Sequence, residues 1–219
     1  MANYLPNPGG PPSGSIPGAL SGVRIYAQLK PDEAALARLL QLQARAREPA
    51  PGTRRVSPGR LHLTLIHFGK ADEAYSRMSG ATGTGLAAFR EALADYLKAT
   101  TAALPDTDFH LTPTHLSAFG SHGSTLALEL RSTPALEAVH TELYAVLLEF
   151  LSACGIADPA GYAAGDPALC FAAQLRPHIS LLHGFRGFHG FADGAGPRVG
   201  SAPLRLQVLP VLYPVSWGG

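Results

Sequence analysis

The chain has 219 residues, a formal net charge of +1 and 46% hydrophobic residues, which is enough to bury one core. The near-zero charge argues against a general nucleic-acid packaging protein, and no apolar segment approaches the length that spans a bilayer. Residues 1–20 are rich in Pro and Gly, which predicts a disordered tail rather than a signal peptide. A single domain over residues 21–219, located in the cytoplasm, is expected to follow.

The first half of the domain alternates strands and helices. Val23–Leu29 is predicted as a strand, and a helix then opens at Pro31 and runs to about Arg47, with acidic residues at its start and arginines at its end. Leu61–Phe68 is an apolar run typical of a strand. Residues 70–85 lack periodicity and predict a surface loop, and apolar spacing predicts a helix over Leu86–Thr100.

The second half contains a predicted hairpin, a capped helix and two further strands. The hairpin joins Phe109–Phe119 to Thr125–Arg131, and Thr133 with Pro134 is typical of a helix start. A loop over 155–169 precedes strands over 177–182 and 204–212. This order predicts an α+β fold with antiparallel sheets and helices packed on the outside.

Two short motifs carry the chemistry. His62 is followed by Thr64, and His178 by Ser180, each within an apolar run. Because strand side chains alternate with a period of two, each histidine and its hydroxyl residue face the same side. Two imidazoles and two hydroxyls suit phosphate chemistry, since one imidazole can take a proton while the other donates one. We therefore predict His62, Thr64, His178 and Ser180 as catalytic residues, with His115 as a rival.

Basic residues surround the first motif. The stretch contains one acid, Glu48, and six cations: Arg45, Arg47, Arg54, Arg55, Arg60 and Lys70. They could hold the phosphates of an RNA end, or form a solvated helix end and loop. Arg60 is predicted to bind substrate.

The order of these motifs resembles the two-histidine (2H) phosphoesterases. Arg24-Ile25-Tyr26-Ala27, Arg60-Leu61-His62-Leu63-Thr64-Leu65, Phe119-Gly120 and Pro177-His178-Ile179-Ser180-Leu181 follow one another as in the 2′-5′ RNA ligase and cyclic phosphodiesterase branch. The resemblance implies two lobes lining a central cleft. It also implies metal-independent opening of 2′,3′-cyclic phosphates on RNA ends or nucleotides to 2′-phosphates, and reverse joining of RNA ends.

The chain departs from the family pattern at two positions. Family members often carry an aromatic residue where this chain has His67, and an arginine where it has His183. Both lie five residues after a motif histidine, which in a regular strand is the opposite face, so we interpret them as structural. Arg176 or Arg186 is expected to replace the arginine.

The substrate is left open by the sequence. Tyr26 could stack on a base or simply pack, and the cleft could accept a mononucleotide, an RNA end, an ADP-ribose cyclic phosphate or a cyclic oligonucleotide. By analogy, His178 is the base toward water and His62 the acid toward the leaving oxygen. Tyr26, Arg60 and Arg176 are the predicted substrate contacts.

Two other functional classes compete with this interpretation. Zinc could be bound by His62, His115 and His178, but no His-Glu-x-x-His motif is present, and we expect no metal or other cofactor. A non-catalytic reader of cyclic nucleotides or RNA ends could use the same cleft. The protein is expected to be monomeric and to have no membrane contact, with Cys154 and Cys170 as free thiols.

Overall fold

The structure of the protein is a computed structural model that describes residues 24–187 and 197–208, apart from the side chains of Tyr26 and Ser121. The predicted tail over residues 1–20 lies outside this part. The strands, numbered in chain order, are β1 (Arg24–Pro31), β2 (Arg54–Arg55), β3 (Leu63–Lys70), β4 (Phe109–Leu111), β5 (Pro113–Phe119), β6 (Thr125–Leu130), β7 (His178–His183) and β8 (Leu204–Val208). The α-helices are α1 (Glu33–Arg47), α2 (Ala71–Thr82), α3 (Leu86–Ala103), α4 (Pro134–Ala153) and α5 (Pro159–Gly165).

The strands form one sheet in the order β4-β8-β1-β3-β7-β6-β5, and β2 pairs with β7 outside this path. Every pairing is antiparallel. β1–β3 and β6–β7 pair over most of their length, whereas β3 and β7 are joined through one residue pair, Leu63 and Ile179. The sheet therefore has two halves that meet at β3 and β7. This arrangement confirms the predicted α+β fold with antiparallel strands and helices outside.

Aromatic packing holds the helices against the sheet. The ring of Phe68 on β3 lies 5.2 Å from Tyr96 on α3 and 5.1 Å from Phe150 on α4, measured between centroids. Phe89 on α3 also contacts Phe150, in an edge-on arrangement. Large buried rings bury much apolar surface and favour such tilted pairs. The helix pair α3–α4 is thereby fixed on one face of β3, which leaves the other face for polar residues.

The predicted start of α4 at Thr133 and Pro134 is confirmed, whereas α1 begins at Glu33, two residues after the predicted start at Pro31. Asp32 caps α1, and its carboxylate accepts a hydrogen bond of 2.8 Å from the backbone N–H of Ala35. Thr133 caps α4, and its hydroxyl accepts from the backbone N–H of Leu136 at 3.2 Å. Pro134 occupies the first turn of α4, where its missing N–H costs nothing.

Helix α1 contributes a buried amide that connects it to the sheet. The side-chain Nε2 of Gln43 donates to the carbonyl oxygens of Val56 at 2.8 Å and of Leu181 at 2.9 Å. The backbone N–H of Val56 donates to the same Leu181 carbonyl at 2.9 Å. The Nε2 group of Gln43 therefore connects α1 to both the segment after β2 and strand β7.

Several sequence-based predictions are wrong in detail. Residues 70–85 are mostly helix α2 rather than a loop, because Ala71, Ala74 and Met78 form a narrow buried stripe. The loop predicted over 155–169 contains the short helix α5. The strand predicted over 109–119 is divided into β4, which pairs with β8, and β5, which pairs with β6. The last predicted strand is seen up to Val208, and residues 209–212 lie outside the described part.

Two expectations about the chain as a whole can be compared with the structure. Cys154 and Cys170 are both free thiols, and burial raises the pKa of Cys154 to about 11. Among the residues that the structure describes, no helix combines the length and apolar character that crossing a membrane requires.

Candidate active site

The register of β3 against β7 brings the two motifs together. Leu63 is paired with Ile179, so the neighbouring positions in this antiparallel arrangement place His62 beside Ser180 and Thr64 beside His178. Directly opposite residues project to the same face of a sheet. The four predicted catalytic residues therefore occupy one patch where the two halves of the sheet meet.

Burial alternates along both motifs as the sequence predicts. Leu61, Leu63, Pro177 and Ile179 are buried, whereas His62, Thr64, His178 and Ser180 are half-buried. The apolar side chains face the helices, and the polar ones line the opposite face of the sheet. The motif residues are thus held by the core while their polar atoms remain accessible to a ligand.

Both imidazoles are oriented in the same manner. Nδ1 of His62 lies 2.8 Å from the carbonyl oxygen of Arg60, and Nδ1 of His178 lies 2.7 Å from the carbonyl oxygen of Arg176. A carbonyl oxygen only accepts hydrogen bonds, so each Nδ1 must carry the hydrogen. Proton exchange with a ligand is therefore assigned to Nε2 on both rings.

The surroundings of the two histidines shift their pKa values unequally. Burial lowers the pKa of His62 to about 4, and the charges of Lys30, His178 and Arg60 act in the same direction. Burial also lowers the pKa of His178, and Arg176 adds to this, but the carboxylate of Glu129 opposes it. Both rings are therefore neutral at pH 7 in the free protein, and the more acidic imidazolium is that of His62.

Lys30 is a site residue that the sequence analysis missed. Leu29 pairs with Leu63, so Lys30 on β1 lies beside His62. Its ammonium donates to the carbonyl oxygen of Gly59 at 2.7 Å, and burial lowers its pKa. The period-two alternation of Gln28 and Lys30 in the first strand was the signal that could have identified it.

A group of side chains supports His178. Phe119 stacks on His178 with ring centroids 4.1 Å apart, and the guanidinium of Arg176 lies 4.0 Å from the centroid of Phe119. Arg176 also donates to Glu129 at 2.7 Å, and this hydrogen bond from Arg176 lowers the pKa of the Glu129 carboxyl group. Arg176, a predicted substrate contact, is thus close to the site but bound to Glu129. Phe119 and Glu129 were not predicted as site residues.

The remaining predicted substrate contacts are placed as follows. Arg60 ends a 3-10 turn over Pro58–Arg60, directly before His62, and it is exposed. The backbone of Tyr26 pairs with His67 in the β1–β3 ladder, and the side chain of Tyr26 lies outside the described part of the structure. Arg186, the other expected replacement for the family arginine, is exposed beyond the end of β7.

His67 and His183 do not lie on the opposite face, because neither strand is regular. Pairing of β1 with β3 shifts by one residue at Leu65, and pairing of β6 with β7 shifts by one at Leu181. Each shift is a β-bulge, which adds one unpaired residue to the strand. The side chain five residues after the motif histidine therefore projects to the same face as that histidine. His67 nevertheless has the backbone partner expected of it, since its Nδ1 lies 3.2 Å from the carbonyl oxygen of Ala168.

The zinc alternative is not supported by the arrangement of side chains. Across residues 24–187 and 197–208, no three or more His, Cys, Asp or Glu side chains are grouped as a metal ion would need. His115 lies on β5 and is 64% exposed, with its Nε2 3.5 Å from Glu129. The set of His62, His115 and His178 is therefore not assembled into a ligand group.

Comparisons with known proteins agree with the resemblance in sequence. Residues 31–180 match the family model described as the 2'-5' RNA ligase superfamily. Among solved structures, TT0787 of Thermus thermophilus is 18% identical, with 89% of this chain and 82% of that chain covered and a TM-score of 0.47.

Two further solved structures are similar at the same level. E. coli LigT complexed with 3'-AMP is 16% identical, with coverages of 83% and 78% and a TM-score of 0.44. A structure described as a phosphoesterase is 18% identical, with coverages of 85% and 98% and a TM-score of 0.44. No curated protein sequence matches the chain.

Proposed function

The chain belongs to the 2'-5' RNA ligase superfamily of 2H phosphoesterases, and we propose that it opens 2′,3′-cyclic phosphates on RNA ends or nucleotides, leaving 2′-phosphates, without a metal ion. The observation that carries this proposal is the juxtaposition of His62 and His178 on adjoining strands. Each ring presents Nε2 for proton exchange, and each lies beside a hydroxyl from the other motif. Such a pair supplies general base and general acid catalysis to one phosphorus centre.

In the proposed reaction, Nε2 of His178 takes a proton from water as the water oxygen attacks phosphorus. The bond from phosphorus to the 3′-oxygen breaks, and Nε2 of His62 gives its proton to that oxygen. Burial, with a smaller effect of the cations around it, lowers the pKa of His62 to about 4, whereas the carboxylate of Glu129 opposes the lowering at His178. Because the first proton of such a pair rests on the more basic ring, these pKa values do not assign the roles, and His178 as base and His62 as acid are proposed from the family resemblance.

The hydroxyls of Thr64 and Ser180 are proposed to donate hydrogen bonds to the non-bridging phosphate oxygens. Negative charge on these oxygens grows in the transition state, so donors that are already oriented stabilise it selectively. Lys30 adds a positive charge beside His62. Arg60 and Arg176 are proposed as substrate contacts, as is Tyr26.

The same residues would serve in ligation. If a 5′-hydroxyl of a second RNA end replaces water as the nucleophile, His178 takes its proton and a 2′-5′ phosphodiester results. An enzyme that catalyses this step also catalyses its reverse, since both directions pass through one transition state. We further propose that the protein acts as a monomer in the cytoplasm and uses no cofactor.

The proposal is tested by incubating the purified full-length chain with 2′,3′-cyclic nucleotides in excess chelator. We expect steady turnover to 2′-nucleotides, identified against 3′-nucleotide standards by chromatography, and turnover at least about 10²-fold lower with a His62→Ala/His178→Ala double variant. Equal turnover by the double variant, or activity that chelation abolishes, would contradict the mechanism. Tight binding of the cyclic phosphate without turnover would instead indicate a non-catalytic reader.

The other candidate substrates are separate arms of that assay. An ADP-ribose cyclic phosphate and a cyclic oligonucleotide are compared with the 2′,3′-cyclic nucleotides at equal concentration. The highest kcat/KM identifies the preferred substrate class. A preference of more than about tenfold for either alternative would replace the substrate proposed here while leaving the roles of the histidines intact.

A further inference from the structure

Three polar side chains come together at the far end of β7. His183 is paired with Arg54 on β2 and with Thr125 on β6. Cross-strand partners project to one face of a sheet, so the guanidinium, the imidazole and the hydroxyl share a surface. The contact is direct on one side, where Oγ1 of Thr125 lies 3.4 Å from Nδ1 of His183.

This group lies on the same face as the two catalytic histidines. On β6, Glu129, Ala127 and Thr125 alternate regularly, and their partners on β7 are His178, Ser180 and His183. The bulge at Leu181 therefore places His183 on the same face as His178 and Ser180. Two residues of antiparallel strand separate Ala127 from Thr125, so His183 lies about 7 Å along the sheet from Ser180.

The charge of Arg60 acts on both this group and the catalytic centre. Its positive charge lowers the pKa of both His62 and His183, which means that it is within electrostatic reach of both rings. Arg54 acts on His183 in the same direction. Arg54, Arg60 and His183 are all exposed, so a ligand can reach them without displacing the core.

We propose that Arg54, His183 and Thr125 form a second phosphate subsite, which holds the phosphate next to the reacting one on an RNA strand. This inference rests on the proposed function and names its substrate class as an RNA end rather than a cyclic mononucleotide. The group offers a cation, an imidazole and a hydroxyl donor, which is the chemistry that binds phosphate oxygens. Its spacing of about 7 Å from Ser180 suits adjacent phosphates of one backbone.

The arrangement also distinguishes the arginines that precede the first motif. Arg55 pairs with Leu182, which is buried, so Arg55 projects away from the face that carries His183. Arg47 donates to the carbonyl oxygen of Thr53 at 3.3 Å, and Lys70 forms an ion pair with Glu73. Arg54 and Arg60 are the members of the predicted basic stretch whose charges act on the histidines of this face.

The test compares three substrates of the full-length protein: cytidine 2′,3′-cyclic phosphate, the same nucleotide with a 5′-phosphate, and the dinucleotide ApC with a terminal 2′,3′-cyclic phosphate. The wild-type protein should show kcat/KM about tenfold higher for both substrates with a second phosphate, since a charge-assisted contact has about that effect. Arg54→Ala and His183→Ala should each reduce this ratio toward one. Arg55→Ala is the matched control and should leave the ratio unchanged.

Salt provides a second readout. For the wild-type protein, kcat/KM should fall more steeply with salt concentration for the phosphorylated substrates, because salt screens the additional charge contact. Arg54→Ala should remove this difference. Melting temperatures of both variants, compared with that of Arg55→Ala, confirm that each is folded.

The outcomes separate this inference from the proposed function. Turnover of all three substrates with equal kcat/KM, or a ratio that survives both substitutions, overturns the subsite alone. Preference for the dinucleotide but not for the 5′-phosphorylated nucleotide also overturns it, because the second base is then responsible. If the wild-type protein turns over none of the three, the proposed function fails and the subsite with it.

Discussion

The rings of Phe119 and His178 stack with 18° between their planes and 4.1 Å between their centroids. The hydrogen bond from Nδ1 to the carbonyl oxygen of Arg176 fixes one edge of the imidazole, and the stacked ring restricts its tilt. Arg176 in turn lies over the same phenyl ring. The geometry of His178 is therefore determined by a residue that contributes no proton to the reaction.

Removal of this ring should impair turnover more than binding. We expect Phe119→Leu to lower kcat by about three- to tenfold with little change in KM, since an aromatic pair contributes about 0.5–1.5 kcal/mol. Phe119→Tyr retains the ring and should stay close to the wild-type value. Steady-state kinetics on a 2′,3′-cyclic nucleotide measure both, and an unchanged kcat in Phe119→Leu would show that the stacking has no role in positioning.

Each histidine of the pair should be essential by itself. His62→Ala and His178→Ala should each lower kcat by about 10²- to 10⁴-fold. Because the two act in one step, the double variant should be little worse than either single variant. His110→Ala, an exposed change on the edge strand β4, serves as the control and should retain full activity. Additive losses in the double variant would indicate that the rings act independently.

The two hydroxyls should matter through hydrogen bonding rather than shape. Thr64→Val keeps the branched side chain but removes the donor, and we expect a loss of about 10²-fold in kcat. Ser180→Ala should behave similarly. Thr64→Ser and Ser180→Thr keep the donor and should recover most of the activity. If Thr64→Ser were as impaired as Thr64→Val, packing of the methyl group would be the cause.

The pH optimum of kcat/KM should lie on the acidic side of neutrality. Catalysis needs one neutral and one protonated imidazole, whereas both pKa values are lowered from 6.5, that of His62 to about 4. At pH 7 both rings of the free protein are mainly neutral, so the imidazolium that catalysis needs is scarce. The value of kcat/KM should therefore rise as the pH falls. It should fall again near pH 4, when both rings are protonated, which puts the optimum between about 4 and 6.5.

Glu129 should set the alkaline limb of that profile. Its carboxylate raises the pKa of His178 and pairs with Arg176, whose charge has the opposite effect. Glu129→Gln removes the negative charge and leaves the charge of Arg176 unopposed, so the pKa of His178 should fall. The alkaline limb should therefore move to lower pH. Glu137→Gln, an exposed change at the start of α4, should leave the limb unchanged. A shift to higher pH in Glu129→Gln would refute the electrostatic assignment.

Gln43 should contribute to stability. Its Nε2 donates to the carbonyl oxygens of Val56 and Leu181, and the residue is 2% exposed. Gln43→Leu removes the donor from both carbonyls, of which that of Leu181 keeps the backbone N–H of Val56, so we expect the free energy of unfolding to fall by about 1–3 kcal/mol. Gln41→Leu, an exposed change on the same helix, should alter it by less than about 0.5 kcal/mol. Urea denaturation measures both values.

Much of the site was predictable because period-two alternation is a local property. The sequence around His62 and Thr64 shows which side chains share a face, and the same pattern at His178 and Ser180 indicates a second strand of the same kind. Caps at Asp32 and Thr133 were equally local. What these patterns leave open is the register between distant strands, and that is what places Lys30 beside His62.

The bulges at Leu65 and Leu181 illustrate the limit of local reasoning. A bulge is defined by the number of residues in the partner strand, so the motif alone could not show that His67 and His183 return to the site face. Helix α2 was missed for a different reason, because its buried stripe consists mainly of alanines. Gly83, which ends this helix with a positive φ of 75°, was a signal that could have identified it.

The single residue pair between β3 and β7 has a mechanical consequence. Within the described residues, these two strands share the pairing of Leu63 with Ile179 and little further ladder. A phosphate bound by side chains from both strands would act as a crosslink between β3 and β7. Substrate would then stiffen the whole molecule, and the halves of the sheet would part most easily when the pocket is empty.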